Sequence, residues 1–268
     1  MTALLIALVV SATPPPRDNL RFGVNYRWWG RNLQYANAPA SLATLSIGPE
    51  PTGTSLDVQW FPMSYFADDA RADLGLTVRA DVAPESTLRA GENTQRMSVA
   101  RMRTGLMFRF PFEHVEPSVH LGFQAFEASA RPGPFKQTLP NVSYTGPRFG
   151  LGLRLLEFWR MTFDVGVGGT ILLTTGELGS QLYFPGAKGN AFDGNIGLAF
   201  RTWPFLDVRL GVDVTVHSLT LAPGVTATDA YYGISLGFIF KGVPLPGNHP
   251  PGQPTDQAIL DDRNAPRG

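Results

Sequence analysis

Polarity alternates with a period of two along most of this chain. Over Leu206–Val216 the even positions are Leu206, Val208, Leu210, Val212, Val214 and Val216, and the odd ones are Asp207, Arg209, Gly211, Asp213 and Thr215. A β-strand turns successive side chains to opposite faces, so this stretch has one aliphatic face and one polar face. The same pattern runs through Phe158–Leu173, where Met161, Phe163, Val165 and Val167 alternate with Arg160, Thr162, Asp164 and Gly166, and again through Phe192–Arg201. Ten such segments are predicted as strands: 20–29, 55–63, 70–82, 96–110, 115–128, 147–156, 158–173, 190–201, 205–221 and 230–241.

The two faces are segregated by charge. Over the segment centres no Asp, Glu, Lys or Arg falls on the apolar phase. The opposite phase carries Arg21, Arg27, Arg71, Arg79, Arg101, Arg103, Arg109, Arg148, Arg154, Arg160, Arg201, Arg209 and Lys241, with Asp57, Asp73, Asp81, Glu116, Asp164, Asp193, Asp207 and Asp213. The outer face of a soluble sandwich is polar and mixes in some apolar residues. A soluble lipocalin-like barrel would turn its apolar face inward. Segregation this complete is expected where one face meets hydrocarbon and the other a polar lumen. A sheet in hydrocarbon cannot leave an edge unpaired, so it must close. The expected fold is therefore all-β: a closed antiparallel up-and-down transmembrane β-barrel of about ten strands.

Composition removes several other classes. Lys+Arg and Asp+Glu are each 22, so there is no basic excess for a nucleic-acid partner. The absence of Cys excludes disulfides, thiolate metal sites and a Cys nucleophile. No stretch is long and apolar enough for a membrane helix, which needs about 20 residues. Residues 1–12, with the apolar run Ala3–Val10 before Val10-Ser11-Ala12, read as a signal peptide. Residues 13–19 read as a short periplasmic lead-in, 20–241 as the barrel, and the Pro-rich 242–268 as a disordered periplasmic tail.

The predicted connections alternate in length. Short ones fall at 64–69, 111–114, 156–157 and 202–204, and long ones at 30–54, 83–95, 129–146, 174–189 and 222–229. This places the long loops outside the cell and both termini in the periplasm. Trp60, Tyr65, Phe66, Phe110, Phe112, Phe158, Trp159, Trp203, Phe205, Phe238 and Phe240 gather near the short-turn end, as an interfacial girdle would. A sparser set at the other end includes Trp28, Trp29, Tyr35 and Phe126.

With these strands in place, the chain resembles the small bacterial outer-membrane β-barrels of OmpA/OmpX-like architecture, with ten strands rather than eight. The last strand, Tyr232-Gly233-Ile234-Ser235-Leu236-Gly237-Phe238-Ile239-Phe240, is similar to the C-terminal assembly signal of such barrels. The resemblance implies insertion by the barrel-assembly machinery and contact with outer-membrane lipid and lipopolysaccharide.

The inward charges are expected to form a lumen network of Arg71, Asp73, Arg79, Asp81, Arg101, Arg103, Arg109, Glu116, Arg160, Asp164, Asp207, Arg209 and Asp213. Small barrels are filled by side chains, and buried charges need partners. Inward glycines make room for long Arg side chains, or leave a narrow passage. Signals for chemistry are weak. Omptin proteases are also ten-stranded and place acids and a His at the external rim. Here Asp213 and His217 are separated by four residues of strand, about 13 Å. Ser118 and His120 share a face near the other end. The Gly166-x-Gly168-Gly169 cluster lies within a strand with no helix after it. No metal or cofactor is expected, and the chain is not expected to be an enzyme. The expected role is structural or interaction-based, with a periplasmic or envelope-complex protein partner, as in a secretion or gliding-motility machine. The alternatives are a narrow, weakly anion-selective pore and a rim-active hydrolase.

Overall fold

A computed structural model describes residues 18–37, 45–67, 70–90, 93–112, 114–130, 141–158 and 160–242. The segments read as signal peptide and tail lie outside the described residues. Ten long strands form the wall: β1 (Leu20–Ala36), β2 (Leu45–Trp60), β3 (Leu74–Ala90), β4 (Asn93–Arg109), β5 (Val115–Ala130), β6 (Val142–Phe158), β7 (Met161–Ile171), β9 (Lys188–Trp203), β10 (Leu206–Ala222) and β11 (Val225–Lys241). A two-residue strand, β8 (Thr174–Thr175), pairs with β6 inside the β7–β9 connection. Each long strand is antiparallel to its sequence neighbours. β1 pairs with β11, from Arg21↔Lys241 to Ala36↔Thr226, so the first and last strands close the sheet into a ring.

The alternation sorts the two faces as anticipated. Leu210, Val212, Ile234, Leu236 and Phe238 are exposed on the outside, while Arg27, Asp81, Arg101 and Asp213 are buried inside. The outward row of β10 is apolar from Leu206 to Val216. At about 3.3 Å per residue and a tilt of about 40° this spans roughly 25 Å, the height of the apolar band of outer-membrane barrels. Trp60, Phe66, Phe110, Trp203, Phe205 and Phe240 are exposed at the short-turn end of that band. Of the expected girdle, Trp159 and the side chain of Phe158 lie outside the described residues.

Strand lengths depart from expectation. Most strands have 16 or 17 residues, whereas a tilted strand crosses a bilayer in about 9–11. The excess lies at the end away from the girdle. The segments expected as loops at 83–95 and 222–229 are mostly strand: β3 runs to Ala90, β4 starts at Asn93, and β10 and β11 are joined by a tight turn at 223–224. Conversely, the connection expected at 64–69 runs from 61 to 73 and holds two 3-10 turns, Pro62–Tyr65 and Ala70–Asp73. Loop lengths therefore do not alternate strictly. Above the hydrocarbon the outward face meets water, so the polarity contrast fades while pairing continues.

The aromatic set at the upper end is corrected for the same reason. Trp29 and Phe126 point inward and are almost fully buried, and Tyr35 packs on the same core. Trp28 stays on the outer row, edge-on to Tyr26 at 5.0 Å.

The β2–β3 seam is short, pairing only from Thr54↔Val82 to Trp60↔Leu76. Beyond it β2 pairs with β1 alone and β3 with β4 alone.

Candidate functional site: the filled lumen

The lumen is built in layers. In the middle layer, Arg27 of β1, Arg79 of β3 and Arg101 of β4 converge on two carboxylates, Asp81 of β3 and Asp213 of β10. Arg27 donates to Asp81 and to Asp213, each at 2.5 Å. Arg101 donates to Asp81 at 2.6 Å, to Asp213 at 2.8 Å and to the Thr215 hydroxyl at 2.9 Å. Arg79 reaches the same pair at 3.3 and 3.4 Å. Beside them Asp193 accepts from Nη2 and Nε of Arg148, at 2.7 and 3.1 Å, and pairs with Arg103 at 3.1 Å. Arg103 also donates to Gln124 at 2.7 Å. Five Arg thus share three Asp across the bore.

Glycine creates the space for this layer. A Cβ at Gly150 would lie 2.8 Å from Arg148 Nη1, and one at Gly168 would collide with the same guanidinium. Flat guanidinium groups lie over strand backbone that carries no side chain.

A basal layer lies nearer the girdle. Arg109 pairs with Asp73 at 3.2 Å and stands 3.7 Å over the Phe61 ring. Glu116 accepts from Arg154 at 2.5 Å and from Arg21 at 3.1 Å, and Arg154 also pairs with Asp164 at 2.6 Å. Asp207 pairs with Lys241 at 2.7 Å. Among the described residues Arg209 makes a 3.9 Å approach to Asp164, and its Nε is buried without a hydrogen-bond partner. Between the basal and middle layers lies a polar cavity of about 160 Å³.

Above the middle layer the inward face becomes apolar. Arg31 and Asp229 form a fully buried bidentate pair at 2.9 and 2.7 Å, and Tyr144 and Tyr231 donate to the same carboxylate at 2.9 and 3.0 Å. Phe126, Tyr144, Tyr231 and His217 pack around it with ring centroids 4.2–5.9 Å apart. Leu33, Leu219 and Leu221 continue this core, and Leu172 and Leu178 of the β7–β9 connection close over it.

Two expected network members lie elsewhere. Arg71 sits exposed on the Ala70–Asp73 turn, and Arg160 sits exposed at φ 65° in the β6–β7 turn. Both fall where the strand pattern was extended into a connection. Asp73 is on the same turn, yet its carboxylate folds back under the barrel to Arg109. The Arg31–Asp229 pair was missed because 30–54 and 222–229 read as loops. The signal was present, since both residues continue the inward phase of their strands.

Asp213 serves three arginines. His217 is fully buried among aromatics, its Nδ1 donating to the Asp229 carbonyl at 3.1 Å. Ser118 and His120 do meet, with Oγ 3.1 Å from Nε2, on the wall of the polar cavity. Among the described residues no group of three or more potential ligands is arranged to hold a metal.

No family model matches the chain, and no curated protein matches it. Solved structures do. The outer-membrane protease OmpT of Escherichia coli superposes with a TM-score of 0.51 over 87% of this chain and 99% of its own, at 6% identity. The outer-membrane protein AlkL gives 0.42 over 87% and 94%, at 12% identity. Neisserial surface protein A gives 0.33 over 82% and 97%, at 10% identity. Identity this low speaks for the fold alone. The fold shared with OmpT, the closed ring and the charge-free outer row over the strand centres make the chain a ten-strand antiparallel barrel with the architecture of the small outer-membrane barrels.

Proposed function

We propose that the protein is an integral barrel of the bacterial outer membrane that serves as a closed membrane anchor, with its function carried on exposed surfaces rather than through the bore. The supporting observation is that the lumen is filled at two successive levels, by the Arg–Asp layer and by the apolar core above it. In this reading the chain is not an enzyme, and its partners are envelope proteins that meet the loops or the tail. The strand ends that overshoot the apolar band, with the β7–β9 connection, face outward from the cell. The two-residue turn at 204–205 faces the periplasm, as short turns do in such barrels.

Planar-bilayer recording tests the closed bore. Silence, or rare small openings, is the expected result. Large, steady conductance with anion preference would overturn the anchor and favour a narrow pore. An epitope at 181–183, beside the 90% exposed Leu182, should be accessible on intact cells. Labelling of that loop only after the envelope is permeabilised would reverse the orientation.

A further inference from the structure

The cavity beneath the middle layer has an uneven charge balance. Its wall holds Arg21, Arg79, Arg103, Arg148, Arg154 and Arg209 against Asp57, Glu116 and Asp164. Most of these arginines spend their donors on carboxylates within or behind the wall: Arg79 on Asp81 and Asp213, Arg103 and Arg148 on Asp193, Arg154 and Arg21 on Glu116. Arg209 does not. Among the described residues its ion-pair partner is Asp164, which already accepts from Arg154 at 2.6 Å and lies 3.9 Å away. Its Nε is buried without a partner. The guanidinium lies flat against Gly197, where a Cβ would sit 2.9 Å from Nη2. A buried cationic donor left unmatched is costly unless something completes it.

We propose that this cavity binds a small oxyanion of phosphate or sulfate size, with Arg209 as its principal contact. At about 160 Å³ it has room for several waters or for one anion of about five heavy atoms. The excess of guanidinium groups supplies charge-assisted donors, and Ser118, His120 and Asn195 line the same space with neutral polar groups. The girdle end offers the way in. The 61–73 connection covers the β1–β4 side, where Phe61 and Ala72 are fully buried. On the β9–β10 side the two-residue turn at 204–205 is too short to reach over the mouth. Arg154, Asp164 and Arg209 there keep 15–17% of their side-chain surface exposed. The Arg–Asp layer seals the other end, so the anion binds in a blind chamber and does not pass through.

The test uses the full-length protein folded in detergent. Inorganic phosphate and sulfate are titrated by calorimetry against a chloride background of matched ionic strength, and unfolding temperature is followed in parallel. Saturable one-site binding with a rise in unfolding temperature is expected. Arg209→Gln should weaken that binding by about tenfold or more, since it removes a charge-assisted hydrogen bond. Asn195→Asp places a carboxylate of nearly the same shape in the chamber. It should raise the unfolding temperature in chloride and abolish the anion response. That variant keeps the test open if Arg209→Gln fails to fold. Absence of saturable binding to either anion overturns the proposal, as does binding unchanged by Asn195→Asp. Conductance plays no part in this readout, so failure of the chamber and failure of the closed anchor are separately visible.

Discussion

Removing the Asp213 carboxylate should be among the most damaging single changes in the barrel. The side chain is 6% exposed and accepts from Arg27 at 2.5 Å, Arg101 at 2.8 Å and Arg79 at 3.3 Å. Asp213→Ala leaves five middle-layer arginines facing two carboxylates, Asp81 and Asp193. Deleting one partner of a buried ion pair costs about 3–5 kcal/mol, because the remaining charge stays buried without compensation. The cost should sit at the upper end here, since three guanidinium groups lose an acceptor together. Asp18→Ala is the matched control. Asp18 pairs with Arg21 at 2.9 Å but keeps 25% of its side-chain surface exposed, so its loss should cost about 0–1 kcal/mol. A third variant, Arg101→Met with Asp213→Leu, removes one charge of each sign and restores the original imbalance. It should recover much of the loss, because well-packed apolar replacement of a buried pair is often nearly neutral. Urea unfolding in micelles reads the differences, by tryptophan fluorescence and by the heat-modifiable mobility of the folded barrel. Trp29 lines the same small space as Arg27, Asp81, Arg101 and Asp213, which makes it a local reporter. Asp213→Ala within about 1 kcal/mol of Asp18→Ala would refute the account of the middle layer, whatever happened to conductance.

Leu210→Arg places a charge near the middle of the apolar belt, where Leu210 is 50% exposed; it should cost about 2–4 kcal/mol, and normal insertion yield and stability would argue against lipid at that face. Phe126→Ala should destabilise by about 3–5 kcal/mol, since the ring packs on Tyr144, Tyr231 and His217; a loss below about 1 kcal/mol in the same urea assay would mean that the upper core is loosely packed. Hydrogen exchange should be faster in the upper parts of β2 and β3, each bonded along one edge there, than in β10, which is paired on both sides along almost its whole length; equal protection would show that the seam closes in the membrane.

The period-two pattern by itself determined the strand directions, the lipid-facing row, the count of ten and the closed ring. Hydrocarbon tolerates neither a charge nor an open edge, so Leu210 and Asp213 could be placed outside and inside without any structure. The inward glycines were legible as positions, but either room for long Arg side chains or a narrow passage fitted them, and the structure lays Arg148 and Arg209 over Gly150, Gly168 and Gly197. Only the tertiary structure decided who pairs with whom. Arg101 meets Asp213 across 112 residues and Arg31 meets Asp229 across 198; such partners are fixed by strand order, register and barrel diameter, which no local stretch of sequence encodes. The upper core was hidden for a different reason. Above the bilayer both faces of a strand meet other side chains or water, the contrast that marks a membrane strand disappears, and Leu33, Phe126, Tyr144 and Tyr231 form a core only because ten strands and one connection bring them into the same bore.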